Sequence, residues 1–599
     1  MISATRAFDP AALRARYAAE RAKRLRPDGI DQYIAIDGSF AQYAEDPWVV
    51  PGFAREPVVE NLDVALIGGG FGGLLTGARL RQQGVDDFRI IEKGGDFGGT
   101  WYWNRYPGIA CDIESYVYLP LLEEVGYVPK ENYSRGAEIF AHCQAIGRTF
   151  DLYRGALFRT KVTELRWDEG LTRWIVSTDR QDVLRARFVV LANGSLQKPK
   201  LPGIPGLESF RGRSFHTSRW DFGYTGGDSD GNLTGLAGKR VGIIGTGASA
   251  VQCVPHLAAG AGQLFVFQRT PSSVDVRGLR PTDPAWAAGL APGWHQKRMD
   301  TFQILTCGGM PPEDAAEQGF DGWTDVTRAL NQAMASAPDR PMTPEEMAAA
   351  RELADFAKME AIRARVEAEV ADPATTEALK PWYRQFCKRP CFHDDYLKSF
   401  NRPNVALVDT QGKGVERITE AGVVAGGVEY PLDCLIFATG FEVGTDYSRR
   451  AGFPVIGCEG LTLNEKWRDG VRTLHGLHIN GFPNCFVMIT PQTGFSVSIS
   501  YTENQTSRHL AHLMHAALSR GLTRLDATAE AEAAWVDAVL ANAAALVGGD
   551  DCTPSYYNHE GRPTPGALQN APYAAGPLAF NELLEKWRAA GDMKGLACR

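Results

Sequence analysis

Positive charge is not in excess in this chain: its 63 lysines and arginines are outnumbered by 71 aspartates and glutamates, for a net charge of −8. Binding to nucleic acid needs the opposite balance to neutralise phosphates, so nucleic acid is not an expected partner. No run of 18 or more apolar residues occurs, and Met1 to Asp9 lacks the charged stretch and apolar core of a secretory leader. The expectation is a cytoplasmic protein without membrane contact. The 11 cysteines form no regular framework, and the closest pair, Cys387 and Cys391, is separated by Lys-Arg-Pro rather than set in a zinc pattern. All are therefore expected to be reduced thiols. His393-Asp394-Asp395 is the only short polar cluster on offer to a metal; it reads as a loop or helix start, and no metal is assigned.

What the chain does have is length and two glycine loops. Its 599 residues exceed one hydrophobic core several-fold, which predicts at least two nucleotide-binding domains plus additions. The apolar run Val64-Ala65-Leu66-Ile67 turns at once into Gly68-Gly69-Gly70-Phe71-Gly72-Gly73 and a helix-like Leu74 to Gln83, followed by Phe88-Arg89-Ile90-Ile91 ending at Glu92. The same succession recurs at Arg240 to Ile244, Gly245-Thr246-Gly247-Ala248-Ser249-Ala250 and Leu264 to Phe267. Strand, turn, helix, strand in that order is parallel α/β architecture, used twice.

In the first loop, Gly68, Gly70 and Gly73 serve a tight turn, close approach of backbone to pyrophosphate, and close helix-to-strand packing, with the helix N-terminus at Phe71 facing the anion. Glu92, at the end of the next strand, can accept hydrogen bonds from ribose hydroxyls. The second glycine pair, in Gly98-Gly99-Thr100-Trp101-Tyr102-Trp103, suits a bulky isoalloxazine passing close to backbone, so FAD is the expected ligand. In the second loop Ala250 replaces the third glycine, and the strand that would end in an acid ends in Gln268-Arg269-Thr270. A carboxylate there would repel a 2′-phosphate, whereas the Arg269 guanidinium and the Thr270 hydroxyl can bind it, which predicts NADPH over NADH.

Residues 1–55 form an N-terminal extension. It opens with a helix signal, Asp9 as N-cap and Pro10 at the first position, and continues through Arg14, Arg16, Arg21, Lys23, Arg24 and Arg26, whose charge is expected to be solvated. Between Pro281 and Pro381 strand patterns vanish, and Thr343-Pro344-Glu345-Glu346 opens a long alanine-rich helix with capping-box spacing. Strand-like runs return at Val405 to Val408 and at Cys434 to Phe437 before Ala438-Thr439-Gly440. The expected division is an FAD domain over 56–200 and 404–599, an NADP domain over 201–280 and 381–403 inserted in it, and a helical insertion over 281–380.

Phe210-x-Gly212-x3-His216-x3-Trp220-Asp221 lies between the two glycine loops and resembles the fingerprint of the Baeyer-Villiger monooxygenases. The resemblance runs from about residue 60 to about 560. It includes Gly99-Thr100-Trp101-Tyr102-Trp103-Asn104-Arg105-Tyr106-Pro107-Gly108, Cys111-Asp112-Ile113-Glu114-Ser115, Lys388-Arg389, Ala438-Thr439-Gly440-Phe441 and Trp467-x4-Arg472-Thr473. It implies that NADPH reduces FAD, that O2 then forms a C4a-peroxyflavin, and that this attacks a ketone carbonyl to give an ester or lactone.

The same resemblance implies that Arg389 is the catalytic arginine, that Asp112 holds and tunes it, and that Lys388 joins Arg269 and Thr270 on the 2′-phosphate. The permanent charge of an arginine is what an anionic intermediate needs nearby. Lys93, Trp101, Trp103 and Tyr118 complete the expected flavin set, Ala248 and Ser249 the NADP loop, and Thr439 and Gly440 the return between domains. The extension resembles that of members handling large or polycyclic ketones. Tyr556-Tyr557-Asn558 falls where many members carry a tryptophan-tyrosine pair, which marks Tyr556 as a candidate substrate contact. The chain is expected as a monomer or homodimer. The rival reading is a flavin monooxygenase that oxidises nitrogen or sulfur with the same cofactors. A disulfide reductase lacks its signature, because Cys111 has no redox partner a few residues away.

Overall fold

The computed structural model describes residues 8–307, 321–335, 342–546, 551–562, 564 and 566–599. Two sheets carry the nucleotide loops, the first mixed, with Arg173–Thr178 antiparallel to both of its neighbours, and the second parallel. The first has the strand order Val455–Ile456, Val162–Asp168, Arg173–Thr178, Val183–Leu191, Val59–Ile67, Phe88–Ile91 and Ala156–Leu157, with Cys485–Val487 also pairing with Val183–Leu191. The strand that feeds the first glycine loop is parallel to both of its neighbours. Its last four residues read as one unbroken apolar run because both faces are covered. Val64 and Leu66 enter one core beneath the helix Phe71–Gln82, while Ala65 and Ile67 enter a second core built with Trp174, Phe482 and Val487.

The second sheet is wholly parallel, in the order Val405–Asp409, Gln263–Gln268, Arg240–Ile244, Cys434–Phe437 and Arg213–His216. This places the chain's return later than the expected boundary at 404, since Val405–Asp409 and Cys434–Phe437 flank the second glycine-loop strand and its partner rather than joining the first sheet. The physical reason is simple: an apolar run of four residues fits any doubly covered parallel sheet, and nothing within it names its neighbour. The two sheets are joined where residues 198–200 run beside 439–442. There Lys200 N–H donates to Gly440 O (2.9 Å), Glu442 N–H to Lys198 O (3.1 Å), and the Thr439 hydroxyl to Lys200 O (2.6 Å).

Within the described part of 281–380 the chain is helical, at Pro284–Ala288, Trp294–Cys307, Asp325–Ala335, Pro344–Glu369 and Pro373–Leu379. The Thr343–Glu346 capping box closes as expected, satisfying two backbone donors reciprocally. The first helix, Pro10–Arg24, is capped by Asp9. Its charge is not simply solvated, which corrects the expectation for that stretch. Leu13 and Tyr17 pack on Phe356 of the insertion, Arg14 pairs with Glu352, Arg21 donates to Cys552 O (3.1 Å), and Arg24 is buried against Glu20 (2.6 Å).

A second correction concerns the cysteines: Cys387 and Cys552 form a disulfide across 165 residues, with Cα atoms 5.1 Å apart. The other nine are free thiols, and six of them are buried. Spacing along the chain reveals only neighbours, and this pair is created by the segment 551–562 folding back over Cys387. The Ser555 hydroxyl donates to Cys387 O (2.9 Å) at the same crossing.

Candidate functional site

The first glycine loop and the second glycine pair meet back to back. A Cβ on Gly73 would lie 1.9 Å from Gly68 O, so the helix Phe71–Gln82 can sit this close to its strand only with glycine there. Gly99 has φ +50°, and a Cβ on it would lie 2.6 Å from Gly70 Cα. Between these loops lies a cavity of about 830 Å³ lined by Gly68, Gly70, Phe71, Glu92, Lys93, Gly99, Thr100, Trp101, Trp103 and Tyr118, all of them expected flavin contacts. A backbone-lined cradle of this size, opening at a helix N-terminus, fits a dinucleotide.

The polar groups of the cavity are fixed in advance. Glu92 accepts from Gly69 N–H (2.7 Å) and Gly94 N–H (2.6 Å), and each oxygen keeps a lone pair for a ribose hydroxyl. Burial pushes its pKa up, against the pull of those two amides. Burial, reinforced by the charge of Arg219, lowers Lys93 to about 7. Lys93 bonds to Gln197, and the Trp103 ring is flanked by Lys93 at 4.9 Å and Arg219 at 4.1 Å. Trp101 donates to the Tyr118 hydroxyl (3.2 Å).

Arg389 and Asp112, 277 residues apart, form a two-pronged pair: Nη1 to Oδ2 at 2.7 Å and Nη2 to Oδ1 at 2.8 Å. Asp112 is buried, while about a third of the Arg389 side chain, 35%, stays exposed. Burial alone would lower the Arg389 pKa, but the Asp112 carboxylate outweighs it and holds the guanidinium well above its ordinary value. The arginine is thus locked as a cation and aimed by a carboxylate. Trp323 completes the arrangement, donating from Nε1 to Asp112 O (2.7 Å) with its ring 5.8 Å from the guanidinium carbon. Tyr556 is exposed, with its ring 4.4 Å from that of Tyr557, and lies within electrostatic reach of Arg389.

The second loop repeats the first. Gly245 has φ +112°, and a Cβ there would lie 2.4 Å from Ala438 O, while a Cβ on Gly247 would meet nothing within 4 Å. Gly247 caps the helix Ala248–Gly260, so Ala248 and Ser249 present its first N–H groups. Arg269 lies at the end of the next strand, with Nη1 donating to Gln32 Oε1 (2.6 Å) and Nη2 to Glu560 Oε2 (2.9 Å). Lys388 lies close enough that the Arg269 charge, after burial itself, helps lower it to about 8. The Thr270 hydroxyl is buried without a hydrogen-bond partner.

The motif residues are packed into the fold. Gly212 is pressed between the Phe210 ring and Asp433 O, where a Cβ would lie 2.5 and 2.8 Å away. His216 is fully buried, its Nδ1 2.8 Å from the Ser218 hydroxyl and its ring 5.6 Å from Phe441; burial lowers it to about 3. Trp220 is buried and donates to Thr225 (3.0 Å), and Asp221 caps Phe222–Thr225 while pairing with Arg213 (2.6 Å). The motif thus packs the crossing between the sheets.

Sequence reasoning missed Trp323, Arg219, Glu503 and residues 44–53. Glu503 lines the flavin cavity with its pKa raised by burial to about 8, and the extension roofs that cavity through Ala44, Asp46, Val49 and Phe53. Only Arg219 had a signal, its place inside the motif. The His393-Asp394-Asp395 cluster is a loop: Asp394 accepts from the N–H groups of Arg277, Gly278 and Leu279, and His393 from those of Asp395 and Tyr396.

A fold with two dinucleotide cradles and a cation aimed by a buried carboxylate defines a two-cofactor oxidoreductase. Residues 66–125 match the NAD(P)-binding Rossmann-like domain family. Over 596 residues the chain is 54% identical to neopentalenolactone D synthase of Streptomyces avermitilis, covering 99% of each. It is 52% identical to a Baeyer-Villiger monooxygenase of Streptomyces coelicolor, over 96% of this chain and 95% of that one. Its fold matches the polycyclic ketone monooxygenase from the thermophilic fungus Thermothelomyces thermophila with a TM-score of 0.91 at 38% identity, covering 98% and 99% of the two chains. It also matches OTEMO in complex with FAD and NADP, with a TM-score of 0.73 at 26% identity, covering 91% and 100%. The chain belongs to the Baeyer-Villiger monooxygenases, and is an enzyme that uses FAD and NADPH to oxidise ketones. The nitrogen- or sulfur-oxidising alternative is set aside by the same relatives.

Proposed function

We propose that this enzyme converts a ring ketone on a multi-ring skeleton to a lactone, and that Arg389 and Asp112 are the residues on which its chemistry turns. The observation that carries the residue assignment is the two-pronged Arg389–Asp112 pair. Support for the substrate class comes from the lactone named in the 54% identical relative and the polycyclic ketone named in the structural neighbour.

FAD, reduced by NADPH, supplies activated oxygen. Arg389 holds negative charge at the reacting oxygen and on the carbonyl oxygen as it becomes tetrahedral, and the charge it supplies is permanent. Asp112 accepts two hydrogen bonds in a fixed plane, so the guanidinium needs no reorganisation when the charge develops. Trp323 holds the Asp112 backbone in place through its hydrogen bond to Asp112 O. Arg269 and Lys388 bind the 2′-phosphate of NADPH, with the N-terminus of Ala248–Gly260 on the pyrophosphate. Tyr556 bounds the substrate space. Residues 44–53 cover the flavin cradle and help to keep it dry.

The test is to purify the flavoprotein and follow NADPH consumption and product mass across linear, monocyclic and polycyclic ketones, with an alkyl sulfide alongside. Gain of one oxygen atom is expected with polycyclic ketones at the highest kcat/KM. Preference for linear ketones would overturn the substrate class.

A further inference from the structure

Arg269 does not wait with an open hand. Its Nη2 is paired with Glu560 Oε2 at 2.9 Å, and the other oxygen of that carboxylate accepts from the Tyr33 hydroxyl at 3.1 Å. Glu560 is 4% exposed, and burying a carboxylate this deeply is costly unless opposite charge compensates it. The compensation comes from three cations that all feel it: Arg269, Lys388 and Lys200. The backbone places the group there deliberately. His559 and Glu560 both take left-handed conformations, φ +49° and +58°, which non-glycine residues adopt only where their surroundings over-determine them. Tyr33 and Gln32, from the N-terminal extension, hold the other side. A carboxylate pinned among the cations assigned to a phosphate occupies the seat of that phosphate, or lies close enough to repel it.

We propose that Glu560 is the built-in counter-ion of the 2′-phosphate seat and that it sets how tightly NADPH is held and by how much it is preferred over NADH. The proposal rests on the reading of Arg269 as the 2′-phosphate ligand. Glu560 stabilises the cation cluster in the empty enzyme and opposes the incoming dianion, so it lowers affinity for the phosphorylated cofactor while leaving the unphosphorylated one alone. It is a specificity-determining residue and does not touch the reacting atoms. The Cys387–Cys552 bridge and the Ser555 bond anchor the same segment a few residues earlier, and Glu560 N–H donates to Ser555 O (2.8 Å).

The experiment is calorimetric titration of the FAD-loaded enzyme with adenosine 2′,5′-bisphosphate and with 5′-AMP, for the wild type, Glu560→Gln, Glu560→Ala and Arg269→Gln. Glu560→Gln keeps the shape and a hydrogen bond but removes the charge. It should bind the bisphosphate about tenfold tighter, with 5′-AMP unchanged. Glu560→Ala, which removes the charge together with the side chain, should tighten it likewise and serves as the deciding variant if Glu560→Gln loses its flavin. Unchanged or weaker bisphosphate binding in the deciding variant overturns the proposal, and would make Glu560 an aligner of Arg269 instead. Arg269→Gln separates the two levels. If it abolishes the preference for the bisphosphate while Glu560→Gln gives no gain, the proposal fails alone; if the preference survives, the phosphate reading fails and takes the proposal with it.

Discussion

Replacing Arg389 by alanine removes a cation whose position is fixed by two hydrogen bonds to Asp112, at 2.7 and 2.8 Å. A unit charge about 4 Å from a developing anion is worth about 4 kcal/mol at an effective dielectric of about 20. Because 35% of the side chain is exposed, solvent screening reduces that to roughly 2–3 kcal/mol, a fall of about 30- to 160-fold in ester formation. Flavin reduction by NADPH needs no such anion and should be little changed. The assay therefore follows two readouts on one sample: bleaching of the flavin absorbance under anaerobic NADPH, and ester mass after air is admitted. Reduction within a factor of about three of the wild type, with ester lost and hydrogen peroxide rising, is the expected pattern. Arg389→Lys keeps the charge but not the planar fork, and should recover part of the activity. Normal ester yield from the alanine variant would remove Arg389 from the mechanism, and with it the reason for the buried carboxylate.

Thiol titration of the denatured, unreduced protein should count nine reactive cysteines of the 11; a count of 11 rules out the Cys387–Cys552 bridge. Closing 165 residues of chain is worth roughly 5 kcal/mol in a chain-entropy account, so Cys552→Ser should unfold at a clearly lower temperature in a scanning measurement. Lys388, lowered to about 8 by burial and by Arg269, is charged below that pH and neutral above it. KM for NADPH should therefore rise as pH passes 8 while KM for NADH stays level, and Lys388→Arg should flatten the profile; a flat wild-type profile refutes the assignment. Gly73→Ala puts a methyl 1.9 Å from Gly68 O, and should yield protein without the yellow chromophore; retention of full flavin content would mean that helix and strand can part at no cost.

The glycine loops were legible because their demand is local: a Cβ at Gly73 or Gly99 collides with backbone fixed by the same short segment. The strands at Val405–Asp409 and Cys434–Phe437 were legible as strands but not as members of a sheet, because hydrogen-bond partners are chosen by the whole fold. What the chain concealed is everything that depends on a distant segment arriving: Cys552 at Cys387, Trp323 at Asp112, Glu560 at Arg269, and the extension over the flavin cradle.

These hidden contacts converge on three consecutive residues. Cys387 is tied to the C-terminal segment, Lys388 lies by Arg269, and Arg389 is held by Asp112. Lys388 has extended backbone, φ −131° and ψ 159°, and successive side chains on extended backbone point to opposite sides. A lysine proposed for one cofactor and an arginine proposed for the other can therefore stand next to each other in sequence without competing. A one-residue insertion between them would turn Arg389 toward the phosphate side, leave Asp112 buried without its partner, and cost ester formation at least as much as Arg389→Ala does. Such an insertion mutant that still made ester at the wild-type rate would show that the alternation carries no function.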